Sequence, residues 1–435
     1  MRLLVITTIG LFPRDDNPVA GIPFANLLCR LRPHVERIVL VTPPPYVPAV
    51  FSLMPFLPQP RALKPHERRM GMEVYRPPYF SIRSARRLGI QSRSFCQAAL
   101  PMCRSLHNRY RFDLVIAYGL GPPAHTAQCV ARTLGLRSVS WAIGSDVHTQ
   151  PFFSEENMRL LKHTVRHNDV ILTESEALRR MLVDFCPGAG NVHTFYKGID
   201  LAGLREPTDR PAARVRLGMA PDRTYMIGMG TTAVTKGVYE FYESLKRLAD
   251  RRPHLSAIWI GDGPEDAPLR ALAARDGLAH RFSITGVLPR EAALQYVRAA
   301  DLLVFPTYAE GLSNTVMEAL AGGLPTVTTD VGGDREVLVD EVTGLLVPPK
   351  NVDALVAGID RLLENPTEAR RMAQRGRQLI LNHFDVAANA AVALEILRHV
   401  ASGGDPTAPV RACAGVEPGR LPMDTVRESA AAPGR

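Results

Sequence analysis

The chain has 435 residues, too many for one ordinary core and about right for two domains of roughly 150–200 residues each. Hydrophobic residues make up 46% and charged residues 22%, which excludes a wholly disordered chain, and no apolar run reaches the roughly 18 residues that a membrane helix needs. The net charge is +9, and residues 61–93 alone hold nine basic side chains against Glu67 and Glu73, a local excess of +7.

The first apolar run, LLVITTIGLF, has one basic residue before it and PRDD after it, with no small-x-small cleavage site. It reads as a buried first strand, and the protein is expected in the cytoplasm. RIVLVTP, FDLVIAYG, RSVSWAI and DVILTES are the next strands, each near-continuously apolar as strands covered on both faces should be. Residues 42–60 are apolar but broken by seven prolines, so no regular helix runs through them. With the neighbouring basic segment, in particular Arg83, Arg86 and Arg87, they suggest a surface for an anionic membrane. The six cysteines contain no C-x-x-C pair and are read as reduced thiols.

A second strand series begins at YMIGMG and continues with SAIWIGDG, FSITGV, DLLVFPT, PTVTTD and GLLVPP. Strands alternating with helical segments mark layered α/β structure, and two complete series argue for two doubly wound domains. The polar, proline-bearing stretch between them places a linker near residues 200–222. Beyond about Gly403 the chain is rich in Gly, Pro, Ala and Arg, and a disordered tail is expected.

Gly228, Gly230 and Ala233 satisfy G-x-G-x-x-A after a strand, with Asp250 twenty residues beyond Gly230. Nothing nearby suggests a nicotinamide site, so the turn is read as a phosphate turn, with Lys236 as a mobile cation beside it. In EGLSNTVMEALAGGLPTV, Glu310 follows a strand and Ser313 or Asn314 is a natural helix N-cap. The helix start offers free N–H groups and a positive dipole end to a diphosphate. Glu310 and Glu318, both acceptor-only when ionised, suit vicinal hydroxyls.

Around these residues, the Lys236–Gly237 pair, IWIGDGPEDAPLRALA, ITGVLPREAALQYVRAADLLVFPTYAEGLSNTVMEALAGGLPTV and TDVGGDREVLVDEVTGLLVPP follow one another as in family 4 glycosyltransferases of bacterial surface-polysaccharide type. FPRDDNPVAGIPFANLL, WAIGSDV and YKGIDLAGL in the first half resemble further family segments. The resemblance covers about residues 1–400 and implies a retaining enzyme of the GT-B fold, α/β, with two Rossmann-like domains facing a central cleft. It implies an acceptor-side domain over 1–200, a nucleotide-sugar domain over 201–382, and a closing helix over 383–402 that packs back on the first domain, leaving 403–435 as tail.

By the same resemblance, Glu318 would bind ribose hydroxyls and Glu310, the first glutamate of an E-x7-E motif, would face the transferred sugar. Lys236 would neutralise the diphosphate with the N–H groups of Ser313, Asn314 and Thr315; Gly21 would let the N-terminal loop approach the phosphates; Gly286 and Val287 would meet the base. Asp146 is the acceptor-side candidate. No D-x-D occurs in the sequence, so neither metal nor other cofactor is expected, and the partners implied are a nucleotide sugar, a saccharide acceptor carried on lipid, and a membrane surface, not nucleic acid. Two positions depart from the family: Thr232 stands where many members have Arg, and Ile143 where many have His or Arg. They motivate a rival reading as a non-catalytic scaffold; a nucleotide-sugar epimerase of the same architecture is the other.

Overall fold

The computed structural model describes residues 1–15, 21–46, 63–81, 86–206, 209–404, 423–424 and 426. The expected tail lies almost entirely outside the described residues, as do most of the proline-broken loop and Arg83. The chain divides into two compact units, one comprising residues 1–197 with the helix Val386–Ala401, the other residues 198–385.

Unit 1 is built on β1 (Arg2–Thr7), β2 (Arg37–Val41), β3 (Pro45–Tyr46), β4 (His66–Arg69), β5 (Met72–Tyr75), β6 (Tyr79–Phe80), β7 (Leu114–Tyr118), β8 (Arg137–Ala142), β9 (Val170–Thr173) and β10 (Val192–Thr194). Eight of them form a sheet in the order β10-β9-β8-β7-β1-β2-β5-β4, parallel except for the β4–β5 hairpin, and β3 pairs with β6 separately. The helices are α1 (Ile22–Leu31), α2 (Leu88–Tyr110), α3 (Pro122–Leu134), α4 (Ser145–His148), α5 (Glu155–His167) and α6 (Glu176–Phe185). Alternate residues of the central strands enter opposite layers. Leu3, Val5, Leu114 and Ile116 pack with α1 and the helix Val386–Ala401, through Phe24, Leu28, Ala393 and Leu397. Leu4, Ile6, Val115 and Ala117 pack with α2, α3 and α6, through Phe95, Ala127 and Leu182. Burial on both faces is why these strands read as unbroken apolar runs. Cys29, Cys96, Cys103, Cys129 and Cys186 are free thiols.

The basic segment 61–93 is less open than its charge suggests. The β4–β5 hairpin turns Arg76 inward, where it is buried against Glu67 at 2.6 Å, and Arg69 pairs with Asp15 at 2.6 Å. Lys64, Arg68, Arg86, Arg87 and Arg93 remain exposed.

Unit 2 carries β11 (Thr224–Met229), β12 (Leu255–Ile260), β13 (Phe282–Ile284), β14 (Leu302–Phe305), β15 (Thr326–Thr329) and β16 (Leu345–Val347), all parallel, in the order β13-β12-β11-β14-β15-β16. Its helices are α7 (Arg210–Leu217), α8 (Val238–Leu248), α9 (Asp266–Arg275), α10 (Arg290–Ala299), α11 (Asn314–Ala321), α12 (Val352–Glu364) and α13 (Pro366–His383). The stretch expected as a linker is instead part of this unit. Leu201 and Leu204 are buried, and Arg210 and Arg214 of α7 share Asp301 at 3.0 and 2.6 Å.

Candidate functional site

In an open parallel sheet, ligands bind beyond the carboxyl ends of the strands where the strand order reverses direction. In unit 2 that switch lies between β11 and β14. The loop after β11 ends in Lys236, the loop after β14 carries Glu310, and the two side chains meet, Lys236 Nζ to Glu310 Oε1 at 2.5 Å. The loops are stitched together beneath the pair. Tyr308 N–H donates to the Thr235 carbonyl at 2.9 Å, and the Thr307 hydroxyl donates to Glu310 Oε1 at 3.0 Å. Gly237 sits at φ +70°, and a Cβ there would overlap the Pro306 carbonyl oxygen. The Lys-Gly pair is thus one device: the glycine admits the second loop, and the lysine reaches across it.

Ser313 caps α11 by accepting the Val316 N–H on its hydroxyl at 3.2 Å. Asn314 and Thr315 form the first turn, and Glu318 follows one turn in, partly buried against Arg290, whose Nε donates at 3.1 Å. Burial raises the Glu318 carboxyl above its ordinary range, with the Arg290 charge opposing it. Arg290 also donates to the Asp200 carbonyl, which fixes it at the start of α10. Arg290 is not legible in the sequence, because it lies 28 residues from Glu318 and belongs to no charged cluster. Gly286, at φ +77°, and the exposed Val287 follow β13 on the same carboxyl edge, two strands from β11.

Asp334 is likewise not legible in the sequence. It lies in the turn after β15 with no exposed surface, and its Oδ1 accepts the Ser313 N–H at 3.2 Å. Burial pushes its carboxyl well above the carboxylate range, with the nearby Glu310 charge adding to the effect and Lys236 opposing it.

The G-x-G-x-x-A spacing has another cause here. Gly228 is inside β11, where a Cβ would enter the Trp259 ring, and Trp259 Nε1 donates to the Gly230 carbonyl at 2.8 Å. Thr232 is fully buried; its N–H donates to the Asp262 carbonyl at 2.9 Å and its hydroxyl to Asp266. An arginine would not fit that position without moving the β12–α9 loop.

In unit 1 the strand order reverses between β1 and β7. Gly21 ends the loop after β1 at φ +61°, and its missing side chain makes room for the Leu11 carbonyl, so a contact within the loop itself requires glycine there. Asp146 is buried, with Oδ2 accepting the Leu120 N–H at 2.7 Å and Oδ1 the Ile143 N–H at 3.0 Å. It ties the loops after β7 and β8 together, and the residue at 143 contributes through its backbone. Burial raises the Asp146 carboxyl to about 6. Beyond β9 and β10, Glu174 and Lys197 form a buried pair at 2.6 Å, and the Tyr118 hydroxyl donates to the same Glu174 oxygen at 3.0 Å.

Paired switch-point loops and a capped helix in a Rossmann-like unit bring together a cation, carboxylates and backbone N–H groups, a set that can chemically suit a phosphorylated ligand bearing hydroxyls. Residues 209–379, all within unit 2, match the family model for glycosyl transferases group 1. The chain is similar over 393 residues, at 26% identity, to TuaC of Bacillus subtilis, named as a teichuronic acid biosynthesis glycosyltransferase; the match spans 90% of this chain and 96% of that one. A glycogen synthase of Mycobacterium tuberculosis is 28% identical over 222 residues, 51% of this chain and 52% of its own. Among solved structures, a sucrose-phosphate synthase from Thermosynechococcus elongatus superposes with a TM-score of 0.75 at 20% identity, covering 93% of this chain and 100% of that one. HepE of Anabaena, solved with UDP, gives 0.71 at 19% identity over 92% and 100%. The chain is a glycosyltransferase with the two Rossmann-like units of the GT-B fold. Among the described residues, no helix is long and apolar enough to cross a membrane.

Proposed function

We propose that the protein is a retaining family 4 glycosyltransferase that moves a sugar from a nucleotide diphosphate donor to a lipid-linked saccharide during cell-surface polysaccharide assembly. The observation that carries this reading is the Lys236–Glu310 pair at the switch point of unit 2, beside the capped start of α11. Lys236 and the N–H groups of Asn314 and Thr315 take the diphosphate, the Ser313 N–H being held by Asp334 Oδ1 at 3.2 Å, and Glu318, held by Arg290, takes the ribose hydroxyls. Gly286 and Val287 border the base, and Glu310 faces the transferred sugar. As the anomeric C–O bond breaks, negative charge grows on the departing phosphate, and a preset cation and helix N–H groups stabilise it. The acceptor hydroxyl attacks from the face the phosphate leaves, and its proton passes to a phosphate oxygen. Lys236 and the helix start supply the positive charge that a divalent ion supplies in D-x-D enzymes, so no metal or other cofactor enters the scheme. Gly21 and Asp146 shape the acceptor-side loops of unit 1. The membrane and the lipid-linked acceptor are supported by the exposed basic residues Arg86 and Arg87, and by the likeness to a relative named for teichuronic acid biosynthesis. We place the reaction at the cytoplasmic face, where anionic lipid gathers basic surfaces.

A thermal-shift series with UDP-, GDP- and ADP-sugars, each with and without magnesium, tests the reading. A donor at about 100 times its dissociation constant adds roughly 2.7 kcal/mol of apparent stability. One nucleotide class stabilising equally with and without metal is the expected result. A shift that appears only with magnesium overturns the metal-free scheme, and no shift from any donor overturns the donor site.

A further inference from the structure

The proposed donor site holds one carboxyl that its chemistry does not use. Asp334 belongs to the short helical turn Gly332–Glu336 after β15, and this turn is seated on the loop that carries Glu310: a Cβ at Gly332 would overlap the Glu310 carbonyl oxygen, and Asp334 Oδ1 accepts the Ser313 N–H at 3.2 Å. The side chain has no exposed surface, and Oδ2 has no hydrogen-bond partner among the described residues. Thr328 of β15 also faces it, but the Thr328 hydroxyl proton goes to the Phe305 carbonyl at 2.8 Å. Among the charges that bear on Asp334 from neighbouring elements are Glu310, after β14, and Lys236, after β11; on its own turn Arg335 is taken by Asp330 and Glu336 is buried beside it in sequence.

We propose that Asp334 is a positioning residue of the donor site and works as a neutral carboxylic acid: its carbonyl oxygen holds the Glu310–Ser313 turn by the Ser313 amide, and its proton keeps a second negative charge away from the Lys236–Glu310 pair. This inference rests on the donor reading above. The site must admit an anionic diphosphate, and among the described residues Lys236 is the cation paired with Glu310. An ionised Asp334 would set two carboxylates against that ammonium, and a fully buried carboxylate oxygen with no hydrogen-bond partner is costly. Retaining the proton removes the second charge and leaves the Lys236 charge to Glu310 and the donor. Asp334 touches no reacting atom in this scheme; it acts through Glu310 and Ser313.

The proton is detectable without substrate. A group that stays protonated in the folded protein and ionises in the unfolded chain makes stability fall as pH rises above its unfolded value, by tenfold in the folding equilibrium constant per pH unit. Unfolding of wild type and Asp334→Asn is compared from pH 5 to pH 7, and contributions from other groups cancel in the difference. The expected result is a wild-type constant that falls about tenfold per pH unit relative to the variant. A pH-independent difference shows an ionised Asp334 and overturns the proposal. In turnover, Asp334→Ala is expected to lower kcat at least about tenfold and Asp334→Asn to restore it to within about threefold, because the amide oxygen still accepts from Ser313. A harmless alanine, or an asparagine as poor as alanine, also overturns it. Failure of the donor reading is a separate result: wild type then shows neither ligand shift nor turnover, whereas the pH dependence of unfolding remains to be read.

Discussion

Lys236 and Glu310 touch each other, yet substitutions should separate what they do. With Glu310→Ala the sugar-facing acceptor is lost while the cation stays, so kcat is expected to fall about 100-fold with little change in nucleotide affinity. Glu318→Ala removes a carboxylate held by Arg290 at the proposed ribose end and should weaken nucleotide binding by about tenfold, with kcat less affected. Steady-state kinetics with a matched donor measure both, and wild-type behaviour in the two variants would remove the assignment. At Asp146, Oδ2 accepts from the Leu120 N–H and the Ile143 N–H is shared between both carboxylate oxygens. Asp146→Asn turns one acceptor into a donor facing a donor and should destabilise unit 1 by about 1–3 kcal/mol, read in chemical denaturation at pH 7.5. Because the folded Asp146 carboxyl lies near 6, above its unfolded value, its contribution to stability is greatest in acid and is lost as pH rises through 6. The loss from the asparagine change should therefore be larger at pH 5 than at pH 7.5.

The sequence made Glu310, Ser313 and Glu318 readable because one strand, one turn and one helix carry all three in nine residues. Lys236 was readable beside its glycine. Asp334 and Arg290 were not, since each acquires its role from a partner more than twenty residues away, and no local periodicity records which buried carboxyl lies against which turn.

Elements bring these side chains together through close backbone approaches that can be tested separately from the chemistry. Gly237 and Gly277 have nearly equal angles, φ +70° and +69°, but a Cβ at Gly237 would overlap the Pro306 carbonyl while one at Gly277 meets nothing within 4 Å. Alanine at either position takes on the left-handed cost of about 1–2 kcal/mol. Gly237→Ala adds overpacking between the switch-point loops, worth about 1–3 kcal/mol more, and should depress kcat by displacing Lys236. Equal stabilities for the two variants would show that the loops are not tightly joined. Strands β1, β2, β7, β8 and β9 and the six strands of unit 2 were legible because burial on two faces writes continuous apolar runs, whereas the short, half-buried β10 was not. Nor was the β4–β5 hairpin, because β4 is ionisable throughout and alternates exposed with half-buried positions, and β5 buries only Met72 and Val74. Helix α7 reads as linker in the sequence although its signals are present: Asp209 accepts the Ala212 N–H, Pro211 stands in the first turn, and Gly218 ends the helix at φ +64°. Its apolar face is too short to outweigh four arginines nearby, and its anchoring by Asp301 is a long-range ion pair.

At the scale of the whole molecule, exposed apolar side chains gather in unit 1 beside the remaining basic residues. Phe152 is 63% exposed, Phe153 42% and Ile90 44%, and Tyr46 and Phe80 lie opposite each other on β3 and β6 at 48% each. Ser154, next to the two phenylalanines, donates to the Arg86 carbonyl at 2.8 Å, and Leu88 N–H donates to Asn157 Oδ1 at 3.1 Å, so the start of α2 and the segment 150–157 form one surface. Aromatic side chains that enter the head-group layer, next to arginines that attract anionic lipid, fit a peripheral membrane contact. Two variants separate the terms. Arg86→Glu with Arg87→Glu should abolish co-sedimentation with vesicles containing anionic phospholipid at low salt, since each basic residue near such a surface contributes about 1 kcal/mol. Phe152→Ser with Phe153→Ser should leave a weaker attachment that salt removes, because the electrostatic part is screened over about 10 Å at 0.1 M. Binding that ignores both pairs, or none by wild type at low salt, would detach the membrane from the proposed function and leave a transferase whose acceptor is free in solution.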